Sequence, residues 1–387
     1  MDKIEELLTR GVANIIPGKD ELKKLLASNR KLNIYHGIDP TATKIHLGHT
    51  VALRKLNEFA KLGHNVTFLI GDFTALIGDT SDKDKERPAL TSEEIEENFK
   101  TYKTQAEKFL DFSKVKIRYN SEWLNKLSFK EIIKFCMQFS TNDFISRELV
   151  KKRITAANRV GLHEELYPVM QGYDSYYLDT DLQIGGTDQT FNMQAGRTLQ
   201  KKLRNKESYI LATEFLMGTD GRKMSKSWGN AIWLEDNPND MYAKIMAIED
   251  NLIDQYFILA TNIDLKKIKE IESGKNPMDV KKELAEIIVT ELYGGKEAEN
   301  AAENFRKTVQ EKQKPKNIIE KTLPKSIRTT EEALIAAGLL NSKSEVKRLI
   351  EQGGVSLNDK KITNPNEEIT EGILQVGKKR FAKIVIK

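Results

Sequence analysis

His46 and His49 stand three residues apart in YHGIDPTATKIHLGHT, residues 35–50, between an expected strand and an expected helix. In a helical first turn that spacing puts both imidazoles on one face beside exposed backbone N–H groups, where the helix dipole favours an anion such as phosphate. Gly48 lets a flat group approach the backbone there. A second segment, GTDGRKMSKSWGN at residues 218–230, sets two glycines ahead of Lys223 and Lys226, with Ser225 and Ser227 between and after them. Two ammonium groups on a flexible loop can neutralise charge developing on a phosphate and then withdraw, which suits phosphoryl chemistry with a pyrophosphate leaving group. Each motif alone also has a plain reading, as packed histidines or as a solvated basic loop.

A third group lies in YPVMQGYD, residues 167–174, followed by LQIGGTDQ, residues 182–189. Tyr167, Gln171 and Asp174 fall at spacings of four and three, so one helix face brings a phenol, an amide and a carboxylate to one pocket wall. Taken singly, Tyr167 and Tyr173 read as core aromatics.

The first two motifs, in this order at either end of a β-α alternation, resemble the HIGH and KMSKS signatures of class I aminoacyl-tRNA synthetases, and the full chain resembles the tyrosyl-tRNA synthetases. The resemblance implies that Tyr35 and Asp174 hold a substrate phenol and that Asp79, Tyr167 and Gln171 surround its α-ammonium. It implies that Gly185 and Gly186 form the turn that admits the ATP ribose, with Asp188 on the ribose hydroxyls and Gln189 near the tyrosine carboxylate. Asp39 and Thr41 resemble the family's substrate-side and phosphate-side positions. His46, His49, Lys223 and Lys226 would serve as donors to the leaving pyrophosphate, with Gly48, Met224, Ser225 and Ser227 completing the ATP site and magnesium bridging the phosphates. The sequence departs from the family at Leu47, at Thr80, Ser81 and Asp82 after Asp79, and at Thr190 after Gln189.

Positioning these groups requires alternating elements. Strands are expected at residues 32–38, 65–71, 115–119, 182–185 and 209–215, and helices at 46–62, 93–112 and 191–203, with Thr91 and Glu94 at capping-box spacing. Helical patterns fill residues 129–170. The expected fold class is α/β: a Rossmann-like parallel-sheet catalytic domain over residues 1–232 with a helical insertion near 128–160. An α-helical, anticodon-binding domain and linker are expected over 233–320, and a small α+β RNA-binding domain over 321–387 with helices near 331–340 and 344–352.

The chain has 387 residues, 31% charged and 39% hydrophobic, enough for several cored domains. No apolar run approaches the roughly 20 residues of a membrane helix, and the single Cys136 cannot close an internal disulfide. A reducing, cytoplasmic location and no membrane partner are therefore expected, with no metal-ligand spacing among the five histidines. From Lys321 onward there are 13 basic and 8 acidic residues, so the whole net charge of +5 falls in the C-terminal segment. That asymmetry points to a polyanion, and Lys343, Lys347 and Arg348 are placed to meet an RNA backbone. The resemblance adds L-tyrosine, ATP and tRNA(Tyr) as partners and a homodimer formed through the insertion. Two rivals stand beside it: a nucleotidylyltransferase with a related His-x-x-His site, and a synthetase-like RNA-binding protein without catalysis. Tryptophan is the nearest alternative substrate, with Tyr35 and Asp174 favouring a phenol over an indole.

Overall fold

Runs rich in valine, isoleucine and tyrosine build the sheet that carries the motifs. Its strands are β1 (Val12–Ile16), β2 (Asn33–Ile38), β3 (Asn65–Ile70), β4 (Val115–Tyr119), β5 (Leu182–Gly186) and β6 (Tyr209–Thr213). The coordinates are a computed structural model that describes residues 3–41, 43–79, 90–225, 228–310, 318–324, 326–377 and 380–387. Lys226 and Ser227, and the divergent Thr80, Ser81 and Asp82, lie outside the described residues.

The strand order is β1-β6-β5-β2-β3-β4. Strands β2 to β6 run parallel, and β1 is antiparallel on the edge beside β6. Leu182, Gln183, Ile184, Ile34 and Phe68 are almost wholly buried, as expected of central parallel strands covered on both faces. From β2 the chain winds outward through β3 to β4, then crosses back to β5 and β6 on the other side. Strand order thus reverses between β2 and β5, which opens a crevice at their carboxyl ends.

Three helices flank that crevice: α1 (Thr50–Lys61), α2 (Leu162–Tyr177) and α3 (Thr190–Arg204). The helix expected from His46 begins instead as a 3₁₀ turn over Leu47–His49 that leads into α1. The helix expected over residues 93–112 is broken into Ser92–Phe99 and Tyr102–Ala106. At the break, the Thr101 hydroxyl and the Gln105 amide turn to the Thr43 carbonyl, at 2.7 and 3.0 Å. The Thr91 and Glu94 capping box forms as expected.

Between β4 and α2 lies the helical insertion, with helices Phe129–Cys136, Thr141–Ile145 and Glu148–Thr155. It is braced by a buried pair in which Arg153 donates to both oxygens of Glu164, at 2.6 and 3.0 Å. Four further α-helices, Pro238–Met246, Ile253–Ala260, Leu265–Glu272 and Pro277–Tyr293, are fastened to the sheet domain by two arginines. Arg10 donates to four carbonyls at the end of the Ile253–Ala260 helix. Arg54 of α1 forms a two-pronged pair with Glu291, at 2.7 and 2.8 Å.

The chain divides into two compact units, Met1–Glu299 and Asn300–Lys387. The second holds a sheet ordered β7-β11-β10-β8-β9, from β7 (Glu320–Leu323), β8 (Val355–Leu357), β9 (Lys360–Lys361), β10 (Gly372–Val376) and β11 (Arg380–Ile386). Helices Thr330–Ala336 and Lys343–Glu351 pack on it through Leu334, Val346 and Leu374. Asn358 and Asp359, both at positive φ, turn the β8-β9 hairpin. Strand β7 straddles the expected boundary between linker and C-terminal domain at residues 320–321; parallel pairing with β11 and burial of Leu323 order it.

Candidate active site

The carboxyl ends of β2 to β6 open onto a cavity of about 650 Å³ in the first unit. One part is built by α2, which presents Tyr167, Gln171 and Asp174 to the cavity as the spacing requires. Tyr173, one residue before Asp174, packs instead among Phe135 and Tyr176. Asp174 is 2% exposed and accepts from Trp123 Nε1 at 2.7 Å and Asn120 Nδ2 at 3.1 Å. Burial pushes its pKa up to about 8 against the pull of those two donors. Tyr35 lies on the neighbouring wall, its hydroxyl donating to Gln183 Oε1 at 3.2 Å. Burial, and then Asp174, raise its pKa well above the ordinary value.

Next to this pair stands a second carboxylate. Asp39, directly after β2, accepts from the Tyr167 hydroxyl and from Thr74 Oγ1, both at 2.8 Å. Asp79 accepts from Gln189 Nε2 at 2.7 Å and from Asn192 Nδ2 at 3.2 Å. Asn192 also donates to Gln189 Oε1 at 3.1 Å, which fixes the Gln189 amide. The cavity therefore has a polar wall of carboxylates and amides beside a buried phenol.

At the other part, the 3₁₀ turn stacks His46 on His49, with ring centroids 3.7 Å apart. The His46 backbone N–H donates to His49 Nδ1 at 3.2 Å, so a neutral His49 carries its proton on Nε2. The turn is held by backbone bonds from Leu47 N to Ile232 O, 2.8 Å, and from Leu234 N to Ile45 O, 3.0 Å. Burial, helped by the Lys223 ammonium, lowers the His46 pKa to about 4, and burial takes that of His49 well below the ordinary value. Both rings are thus neutral N–H donors at neutral pH, not cations. A Cβ on Gly48 would stand 3.0 Å from His46 Nδ1, so any larger residue would push that ring by a few tenths of an ångström.

Lys223 reaches the same space from the second motif. Its Nζ pairs with Asp188 Oδ2 at 2.9 Å and lies 4.6 Å from the Phe215 ring centroid. Asp188 sits in the turn after Gly186. Asn230 braces the described part of the loop: its Oδ1 accepts from Ser225 N at 2.8 Å and its Nδ2 donates to Asp220 Oδ1 at 2.7 Å. Thr41, Gly185, Gly186, Met224 and Ser225 also line the cavity. Sequence reasoning missed Asn120, Trp123, Thr74, Gln183 and Asn192; a local signal existed only for Asn120, a polar residue directly after an expected strand, and Gln183, one within an expected strand. Lys343, Lys347 and Arg348 lie exposed on a helix of the second unit and take no part in the cavity.

Residues 27–310 match the family of tRNA synthetases class I (W and Y), and residues 333–372 match the S4 domain. The chain is 42% identical to a tyrosine–tRNA ligase of Carboxydothermus hydrogenoformans over 98% of this chain and 97% of the relative. It is 39% identical to one of Oleidesulfovibrio alaskensis over the whole of both chains. Among solved structures, tyrosyl-tRNA synthetase of Archaeoglobus fulgidus complexed with L-tyrosine aligns with TM-score 0.61 and 25% identity, over 78% of this chain and all of that one. A truncated mitochondrial tyrosyl-tRNA synthetase of Aspergillus nidulans shares the fold, with TM-score 0.66 at 23% identity over 79% of this chain and 93% of that one. With its sheet, its histidine turn and this full-length likeness, the chain belongs to the tyrosine–tRNA ligases of the class I tRNA synthetases (W and Y).

Proposed function

We propose that the cavity joins L-tyrosine to ATP, giving tyrosyl-adenylate and pyrophosphate, and then passes the tyrosyl group to the 3′ end of tRNA(Tyr). The observation that carries this reading is the joining of two chemistries in one cavity: the Asp174, Tyr35, Asp39 and Tyr167 wall, and the His46, His49 and Lys223 donors. Tyr35 and Asp174 would take the phenol, while Asp39, Asp79, Tyr167 and Gln171 take the ammonium and Gln189 the carboxylate end. The substrate carboxylate attacks the α-phosphate, and no side chain need act as nucleophile. Rate comes from holding the two reactants in line and from N–H and ammonium donors aimed at the departing pyrophosphate. Lys226 and Ser227, beside Lys223, Met224 and Ser225, would share in this.

Magnesium would arrive on the ATP phosphates. No group of three or more His, Cys, Asp or Glu placed to hold a metal ion occurs among the described residues. The insertion supports a homodimer: Phe129, Ile133 and Met137 recur every fourth residue along one helix face and are 76%, 47% and 76% exposed. The S4 match and the basic Lys343, Lys347 and Arg348 support tRNA binding by the second unit. A cytoplasmic place fits a lone cysteine and described helices of which none is long and apolar enough to cross a membrane.

ATP–pyrophosphate exchange measured with each of the twenty amino acids tests the assignment. Exchange dependent on L-tyrosine is expected; equal exchange with tryptophan or phenylalanine would overturn it.

A further inference from the structure

The lysine-bearing loop is held at its root by a helix that lies outside the sheet. Met217, at the foot of the loop, has both backbone groups taken by consecutive side chains of the helix Ile253–Ala260. Its N–H donates to Gln255 Oε1 at 3.1 Å, and its carbonyl accepts from the Tyr256 hydroxyl at 2.8 Å. Tyr256 is wholly buried. Burial, and then the Asp220 charge, hold its pKa above the ordinary value, so the hydroxyl keeps the proton that it donates. Across the loop, Met217 pairs antiparallel with Lys223. Between them Gly218 N donates to Arg222 O at 2.7 Å and Gly221 N to Gly218 O at 3.1 Å, with Gly221 at a φ of 75°. A turn closed this tightly ties the Lys223 backbone to that of Met217.

The far end of the same helix is fixed to the histidine side of the cavity. Arg10 donates to the carbonyls of Phe257, Ile258, Thr261 and Ile263, and Arg54 Nη2 donates to Ala260 O at 2.7 Å. Two cations thus satisfy carbonyls that a helix end leaves without intrahelical partners. Arg54 belongs to α1, which begins where the histidine turn ends. The helix Ile253–Ala260 is therefore a strut between α1 and the root of the lysine loop. We propose that Gln255 and Tyr256 are positioning residues for Lys223: by gripping Met217 they set where its ammonium stands relative to His46 and His49 as pyrophosphate departs. The proposal rests on the reading of Lys223 as a donor to that leaving group. Neither side chain lines the cavity, so their effect on the reaction has to pass through the loop. Rate is sensitive to such placement, since a shift of about 1 Å made far from the chemistry can cost about 10²-fold.

Three substitutions in the full-length protein test this. Tyr256→Phe keeps the buried ring and deletes only the hydroxyl. Gln255→Met removes the acceptor at similar length, and Gln255→Glu restores an acceptor oxygen. Adenylate formation is followed by pre-steady-state kinetics at saturating tyrosine and ATP, with tyrosine affinity and Tm measured alongside. Tyr256→Phe and Gln255→Met should each slow it by roughly 3- to 10-fold, the worth of one hydrogen bond. Tyrosine affinity should stay unchanged, and Gln255→Glu should recover most of the rate. The deciding comparison repeats Tyr256→Phe and Gln255→Met in a Lys223→Ala background, where neither should slow the reaction further, because the group they position is gone. Full additivity with Lys223→Ala, or an unslowed rate in both single variants, overturns the positioning role, whatever happens to Tm. If Lys223→Ala alone leaves adenylate formation at the normal rate, the functional reading of the loop falls, a result distinct from additivity in the double variants.

Discussion

Protonation decides what each buried group in the cavity can do. Asp174 has its pKa raised to about 8, so its anionic form grows as pH rises through that value. Tyrosine and phenylalanine share the same ammonium and carboxylate, so the ratio of their kcat/KM values isolates the phenol contact. That ratio is expected to climb between pH 6 and 9 with a midpoint near 8; a flat ratio would show that the phenol does not meet this carboxylate. His46 has the opposite environment, its pKa falling from 6.5 to about 4 because burial and the Lys223 charge disfavour the cation. The unfolded chain therefore binds more protons than the folded one between those values. The stability present above about pH 6.5 should be lost as pH falls toward 4, by on the order of 3 kcal/mol for this one group. His49 adds a loss of the same sign. Urea midpoints across that range should slope upward with pH, and the slope should shrink in His46→Gln. Kinetically, His46→Ala or Lys223→Ala should slow adenylate formation by roughly 10²- to 10³-fold while tyrosine affinity changes little, since these donors serve the departing pyrophosphate. Pre-steady-state measurement with saturating substrates separates the two effects.

At the scale of elements, the pocket wall depends on how closely two helices meet. Gly172 of α2 lies against Ala195 of α3, and a Cβ on Gly196 of α3 would come within 2.7 Å of Ser175 Cβ and 2.6 Å of Gln183 Oε1. Gln183 Oε1 is the acceptor of the Tyr35 hydroxyl. Gly196→Ala would gain about 1 kcal/mol of helix propensity, but overpacking at a contact this short costs about 1–3 kcal/mol. A net loss of stability is expected together with a raised KM for tyrosine and little change in KM for ATP; a stabilised variant with normal KM would show that α2 and α3 have room to part. The same wall shows what a single chain reveals. Tyr167, Gln171 and Asp174 declare themselves by helical spacing, and β4 was legible to the residue from its alternation. Asn120 and Trp123 do not, because they matter only once the end of β4 lies against α2, more than 50 residues further along the chain. Strand β1 pairs with β6 across most of the unit, Val12 opposite Thr213, and β7 pairs with β11, so neither has a local signature strong enough to mark it. The neutrality of the two histidines was hidden for the same reason, since it follows from burial and not from their spacing.

Across the whole molecule, charge and chemistry are separated. The cavity lies in the unit Met1–Glu299, and the excess of positive charge lies in the tail, within Asn300–Lys387. Lys347 follows Lys343 by four residues and Arg348 lies next to it, so the helix Lys343–Glu351 presents a cationic face, while Val346 and Ile350 turn into the core. Lys343 is spent in part on Glu331, 3.1 Å away, yet remains 74% exposed. Reversing all three charges should leave the fold of this unit standing, because its core residues are untouched. Tyrosine-dependent pyrophosphate exchange should then proceed at the normal rate, since every residue assigned to adenylate formation lies in the other unit. Aminoacylation should show a raised KM for tRNA, and the plot of log Kd against log salt should flatten by up to about 0.9 for each phosphate contact removed. Neutral glutamine replacements at the same three positions should fall between the two, because they remove the attraction without adding repulsion. Loss of exchange along with aminoacylation would mean that the tail supports the catalytic unit. An unchanged salt slope would mean that the RNA is held elsewhere on the chain.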